Sequence, residues 1–396
     1  MNLDVQSLRT FSRLAHSGAE RAAGSLTQLT GVETSVNVTK IEVSTRGDVE
    51  REFVEQDLVS VHIGFNGGID GRTVLAFDRD KAVELVDVLV PGAAEQPDGE
   101  MATSGLKELG NIMLGGFIDG WADFLETSID ITTPTFVDVE SQGALDDITG
   151  DSGFEMDTGE DHVLAFRNQL ETADEKVNFQ IYMLPTHDSI ETISTIAGSE
   201  GKTVPVESFT SFSEMITDGA EQASEDLTAM TGSDTTVEVS RLSFVPIEAV
   251  PMELTEETRL GVVLEFEGLP SGYIAILFDE ESADNLAESL MPGMEADAAM
   301  RQSAIQEIGN ITTSGFLDGW ANALETTIEI SPPTYVEDLG SAIIDPLATE
   351  LAQSQEHAFL IDSTIVTDDD EFTCDIYALP NEAQLREALN RLAAEA

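Results

Sequence analysis

The chain has 396 residues, 41% hydrophobic and 24% charged, which suits about two domains of ~150–200 residues and is too apolar for disorder throughout. Its 76 Asp and Glu against 18 Lys and Arg give a formal net charge of −58. Such a surface repels phosphate backbones and anionic headgroups, so neither nucleic acid nor a membrane is an expected partner.

A helical stretch is predicted first, over about 6–29. Strand-like runs from Leu58 to Phe65 and from Thr73 to Phe77 then flank Asn66-Gly67, a good hairpin signal. A short helix is expected over 79–89, then a long one through about 104–124, more strands, and a terminal helical stretch. The seam Gly198 to Pro205 reads as a linker. The same order then restarts. A helix is expected over 207–230, and runs from Leu260 to Phe266 and from Tyr273 to Phe278 flank Pro270-Ser271-Gly272. A short helix over 280–290, a second long helix, strands and a closing helix complete it. Helices with antiparallel strands make this an α+β chain, without the strand–helix alternation of a parallel sheet.

The restart is a true repeat. Residues 104–134, SGLKELGNIMLGGFIDGWADFLETSIDITTP, align without a gap to residues 303–333, SAIQEIGNITTSGFLDGWANALETTIEISPP, at an offset of 199 (303 minus 104). Phe77-Asp78 and Pro91-Gly92 recur as Phe278-Asp279 and Pro292-Gly293. FQIYMLP ending at Pro185 recurs as CDIYALP ending at Pro380. The expected organisation is domain 1 over 1–197, a linker over 198–205, and domain 2 over 206–396.

Within the long helix, Leu106, Leu109, Met113, Phe117, Trp121 and Phe124 fall on one apolar stripe. Ile305, Ile308, Thr312, Phe316 and Trp320 repeat it. At 100° per residue, Ser104, Glu108, Asn111 and Gly115 lie on the opposite face, as do Ser303, Glu307, Asn310 and Ser314. A Glu and an Asn one turn apart therefore point away from the core twice. For one copy alone, an ordinary solvated face would explain this. Gly110, Gly120, Gly309 and Gly319 sit inside these helices at ~1 kcal/mol each relative to Ala, which a close approach of helix to sheet would justify.

Ser104-x3-Glu108-x2-Asn111-x22-Pro134 and Ser303-x3-Glu307-x2-Asn310-x22-Pro333 resemble the signature of the CheC/CheX/FliY chemotaxis phosphatases. The resemblance implies two tandem CheC-like domains, each a pseudo-symmetric pair of helix-plus-antiparallel-strand halves. It implies hydrolysis of the aspartyl phosphate on a CheY-type response regulator. Asn111 and Asn310 would hold the attacking water in line, as a carboxamide that both donates and accepts can. Glu108 and Glu307 would anchor to a lysine of the regulator. No cofactor is expected in this chain; Mg²⁺ would come with the regulator. The receptor deamidase CheD is a further implied partner. A non-catalytic regulator, CheD-binding adaptor or motor-switch-type protein is the alternative. The family pattern also places Glu and Asn on each opening helix, where this chain has Arg13 and His16, then Glu214 and Thr217. Thr39 and Ser240 stand where the distal prolines would be.

Other features are weaker. Asn66-Gly67-Gly68-Ile69-Asp70-Gly71 lacks the Gly-Lys-Ser/Thr end of a phosphate loop, and Asp146-Asp147 and Asp368-Asp369-Asp370-Glu371 lack calcium-loop spacing. The five histidines (16, 62, 162, 187, 357) show no zinc spacing, and Cys374 alone forms no intramolecular disulfide and is expected as a small buried hydrophobe. The start, Met-Asn-Leu-Asp-Val-Gln, has no basic region or apolar signal core, and no run approaches ~18 apolar residues, so a cytoplasmic protein is expected.

The acidic excess is spread along the chain, and only five of the 18 basic residues are lysine. Self-repulsion at this charge opposes compaction unless salt screens it, and ~1 M salt shortens screening to ~3 Å. A high-salt cytoplasm, as in a halophilic archaeon, is the expected setting. Circular dichroism across a KCl series should show the fold loosening below roughly molar salt. An unchanged cooperative melt at ~50 mM would refute the expectation.

Overall fold

The computed structural model describes residues 2–3, 5–45, 53, 58–79, 81–82, 86–87, 100–138, 154–155, 161–172, 178–197, 204–254, 257–290, 298–367 and 372–395. The chain forms two compact units, Met1–Thr203 and Val204–Ala396. Residues 198–203 of the expected linker 198–205, both acidic clusters and most of the expected helix 79–89 lie outside the described residues.

In the first unit α1 (Val5–Thr30) leads into β1 (Thr34–Thr45), β2 (Leu58–Gly67) and β3 (Gly71–Asp78). Next come α2 (Glu100–Phe124), β4 (Ile129–Ile131), β5 (Thr135–Asp138) and β6 (Phe154–Glu155). The unit closes with β7 (Asp161–Thr172), β8 (Asn178–Pro185) and α3 (His187–Ala197). The sheet runs β1-β7-β8-β3-β2, with β4 and β5 both on the far side of β2 and every one of these pairs antiparallel. The β2–β3 hairpin turns at the predicted place. Gly67 takes φ 125°, open to glycine, and its N–H donates to Asp70 Oδ1 at 3.1 Å.

The second unit repeats the order with α4 (Val206–Thr231), β9 (Thr235–Pro246), β10 (Thr258–Glu267), β11 (Gly272–Phe278), α5 (Glu280–Leu290) and α6 (Ala298–Ala323). It continues through β12 (Glu329–Ile330), β13 (Thr334–Leu339), α7 (Gly340–Leu351), β14 (His357–Thr367), β15 (Thr373–Pro380) and α8 (Glu382–Glu395). Its sheet runs β9-β14-β15-β11-β10, with β12 and β13 on the far side of β10. Cys374 is buried on β15, and burial pushes its thiol well above the usual range.

Each sheet carries its opening helix and its long repeat helix on one face. In the first unit Phe11 meets Phe166 edge-on at 5.6 Å, and Trp121 meets Phe166 at 5.0 Å. In the second, Trp320 is ringed by Phe212, Phe316 and Phe266 at 5.5, 5.3 and 6.0 Å. The apolar stripe is buried as expected with one correction: Phe124 is 42% exposed, and Leu125, four residues after Trp121, is buried in its place. On the other face of the second sheet, α7 and the 3₁₀ segment Ile247–Glu253 bury Ile343, Ile344, Leu351 and Val250. Neither was predicted. Only strands were expected between the second long helix and the closing one, yet the apolar positions of α7 have helical spacing.

The helical glycines divide into two kinds. A Cβ at Gly110 would overlap Val61 of β2, and one at Gly309 would overlap Val262 of β10, so these two do serve helix–sheet contact. Gly120 and Gly319 do not. Their absent Cβ atoms would lie 2.9 Å from the Cα of Gly18 and 3.0 Å from the Cα of Gly219, so they serve helix–helix crossings. Gly24, by contrast, faces nothing within 4 Å. Gly110→Ala and Gly309→Ala should each lower stability by ~1–3 kcal/mol through overpacking. Gly24→Ala should raise it by ~0.5–1 kcal/mol. Denaturant titration at molar salt reads both signs, and equal effects would contradict the packing assignment.

Candidate functional site

Burial of the stripe fixes which way each long helix faces. In α2, Leu106, Leu109, Met113, Phe117 and Trp121 are buried, which turns Ser104 and Glu108 to solvent and leaves Asn111 and Gly115 half-buried. In α6, Ser303 and Glu307 are exposed and Asn310 and Ser314 half-buried. All four predicted site residues therefore lie on an accessible face, as one Glu–Asn pair per unit. Among the described residues, none of these four side chains has a hydrogen-bond or ion-pair partner. Ser314 folds back, its hydroxyl donating to the Asn310 carbonyl at 2.8 Å.

The far end of each helix explains the distal proline. Leu125 N–H donates to Trp121 O and Thr127 N–H to Ala122 O, at 2.9 and 3.0 Å, with Glu126 at φ 50°. Leu324, Thr326 and Glu325 (φ 46°) repeat this at 2.9 and 2.9 Å. Such left-handed caps usually carry glycine; here a glutamate takes the strain in both units. The chain then turns back along the hairpin strand. β4 pairs Ile131 with Phe65, and β5 resumes by pairing Thr135 with His62. Three residues, 132–134, thus face two, Ile63 and Gly64: a bulge. Between Ile330↔Phe266 and Thr334↔Val263 the same three face two, 331–333 against 264–265. Pro134 and Pro333 sit in these bulges, where a residue without N–H costs no ladder bond. The bulge borders the Glu–Asn face, for a Cβ at Gly115 would lie 3.9 Å from Ile131 Cδ1.

The opening helices differ. His16 Nδ1 is 3.4 Å from Thr39 Oγ1, and its Nε2 is 3.7 Å from Glu20. Thr39 donates to the buried Asn168 Oδ1 at 3.0 Å and stays in the β1–β7 ladder opposite Asn168. So the residue at the proline position is tied into the sheet and not bulged out of it. Arg13 reaches Thr10 Oγ1 at 3.4 Å. In the second unit Thr217 is half-buried, while the side chains of Glu214 and Ser240 lie outside the described residues. The two opening helices also differ in charge. α1 has Arg9, Arg13 and Arg21 against Glu20 alone, whereas α4 has six acidic residues and no basic one.

The CheC-like family profile matches residues 101–137 and 300–337, the two long helices with their bulges. A Halobacterium salinarum protein, CheC1, provisionally named a CheY-P phosphatase, is 33% identical over 176 residues, covering 42% of this chain and 87% of its own length. The chain belongs to the CheC-like family. It carries that family's pattern twice in tandem, once per unit. The CheY-P phosphatase CheX of Thermotoga maritima is 34% identical over 84 residues, 21% of this chain and about half (53%) of CheX. Among solved structures, Thermotoga maritima FliY aligns over 51% of this chain and 100% of its own with a TM-score of 0.38 and 15% identity. No helix among the described residues is long and apolar enough to cross a membrane.

Proposed function

We propose that this CheC-like protein is a phosphatase of chemotaxis signalling that hydrolyses the aspartyl phosphate of a CheY-type response regulator. The observation that carries the reading is the duplicated Glu–Asn pair on an accessible helix face, followed in both units by the same proline bulge. The names of the two relatives agree with it.

The chemistry follows from the residue types. An aspartyl phosphate on the regulator is already polarised by the regulator's own Mg²⁺ and lysine. What it lacks is a water held in line with the scissile P–O bond. The Asn111 or Asn310 carboxamide supplies one donor and one acceptor to orient that water, which removes an entropic part of the barrier. The water oxygen bonds to phosphorus, the P–O bond to the regulator's carboxylate breaks, and inorganic phosphate leaves. Glu108 or Glu307, one turn away, anchors the regulator through its lysine. Neither the His16–Thr39 pair nor Thr217 offers a carboxamide at the matching position, which leaves the opening helices without this role.

The two sites lie in separate units and act independently on this reading. Asn111→Ala and Asn310→Ala should each remove about half of the acceleration of regulator dephosphorylation, and the double variant most of it. All three should keep their circular-dichroism spectra at molar salt, because the side chains face away from the core. A folded double variant as fast as the parent would rule out water positioning by these residues. A parent that binds the phosphorylated regulator without speeding its decay would make the protein a non-catalytic binder.

A further inference from the structure

The two bulges share a hydrogen-bond arrangement that the family signature does not specify. In a regular antiparallel ladder, every second opposed pair exchanges N–H···O=C bonds in both directions. Gly64 and Thr132 make only one of these with backbone atoms: Thr132 N–H donates to Gly64 O at 2.8 Å. The return bond is diverted. Gly64 N–H donates to the Thr132 side-chain hydroxyl, Oγ1, at 2.9 Å. In the second unit Ser331 N–H donates to Glu265 O at 2.9 Å, and Glu265 N–H donates to Ser331 Oγ at 2.9 Å. In both units the hydroxyl stands in for its own residue's carbonyl. That carbonyl is then released from the ladder, and the chain can leave the strand for the two residues that end at Pro134 or Pro333.

We propose that Thr132 and Ser331 are positioning residues. Each hydroxyl holds a short lip of chain, Ile131 to Pro134 or Ile330 to Pro333, beside the Glu–Asn face, and the phosphorylated regulator docks against that lip. The proposal rests on the phosphatase reading above and names the partner surface of the same site. Two observations point to docking. Ile131 is a large apolar side chain left 40% exposed immediately before the clamp, and it lies next to Gly115 of the Glu–Asn face. In the first unit the helix position facing Ile131 is Gly115, which has no side chain, so a partner can reach the lip and Asn111 together. A β-branched or short hydroxyl residue is needed, since the oxygen must replace a carbonyl of the same residue.

The test uses the full chain with one site silenced. In an Asn310→Ala background only the first unit turns over, and Thr132→Val removes the acceptor while keeping the shape. The regulator concentration for half-maximal rate should rise about fivefold, the worth of one hydrogen bond, with kcat changed less than twofold. Thr132→Ser should restore the parent value. In an Asn111→Ala background, Ser331→Ala and Ser331→Thr should behave as the same pair. Hydrogen exchange should show the Gly64 amide losing protection in Thr132→Val and regaining it in Thr132→Ser. A fall in melting temperature with an unchanged KM would make the clamp merely structural and overturn the proposal. If the parent does not speed dephosphorylation at all, the phosphatase reading fails separately. The same variants are then titrated with the beryllofluoride-activated regulator. Binding weakened about fivefold and rescued by serine upholds the lip; unchanged binding overturns it.

Discussion

The position of each long helix is set by glycine contacts at two points along its length. Gly110 lets α2 rest on Val61 of the hairpin strand, and Gly120 lets it cross α1 at Gly18. Gly309 against Val262 and Gly319 against Gly219 do the same for α6. Two contacts ten residues apart fix both the height of a helix above its sheet and its rotation about its own axis. Rotation matters most, because residues on one face of a helix move together. With Trp121 or Trp320 seated among phenylalanines, the Glu and Asn of that helix have only one direction to face. Two glycines per helix cost ~1 kcal/mol each in helix propensity, and the close packing they permit offsets this.

From that constraint the rest of the site follows in sequence. The helix ends on a left-handed glutamate, the chain reverses along the hairpin strand, and a hydroxyl lets it bulge before the proline. The proline is then a consequence of geometry: it occupies the stretch of edge strand that has already left the ladder. Where the chain keeps to the ladder, as at Thr39, the corresponding residue is not proline and its hydroxyl turns inward to Asn168.

Much of this was legible in the residues, for identifiable reasons. The helical stripe and its polar opposite face come from a 3.6-residue period, which sequence displays directly. Asn66-Gly67 marked its hairpin, although the loop that closes Phe65 onto Gly71 is longer than the two-residue turn that signal implies. The duplication made each observation count twice. What escaped notice depends on contacts between distant segments. Nothing near Gly120 announces Gly18, and no spacing marks a Thr or Ser two places before a proline as a ladder acceptor. Phe124 matched the stripe by its three-residue spacing, but Leu125, at the four-residue spacing, is the one buried. The α7 helix fell in a stretch expected to hold only strands, although Ile343, Ile344 and Leu351 have the spacing of a buried face.

If both proposed sites are competent, one chain presents two equivalent, independent faces to the same regulator. Calorimetric titration of the intact chain with beryllofluoride-activated regulator at molar salt counts these faces, because the phosphoryl mimic binds without being consumed. Two competent sites should give saturation at two regulators per chain. Saturation at one, or no binding, would contradict it.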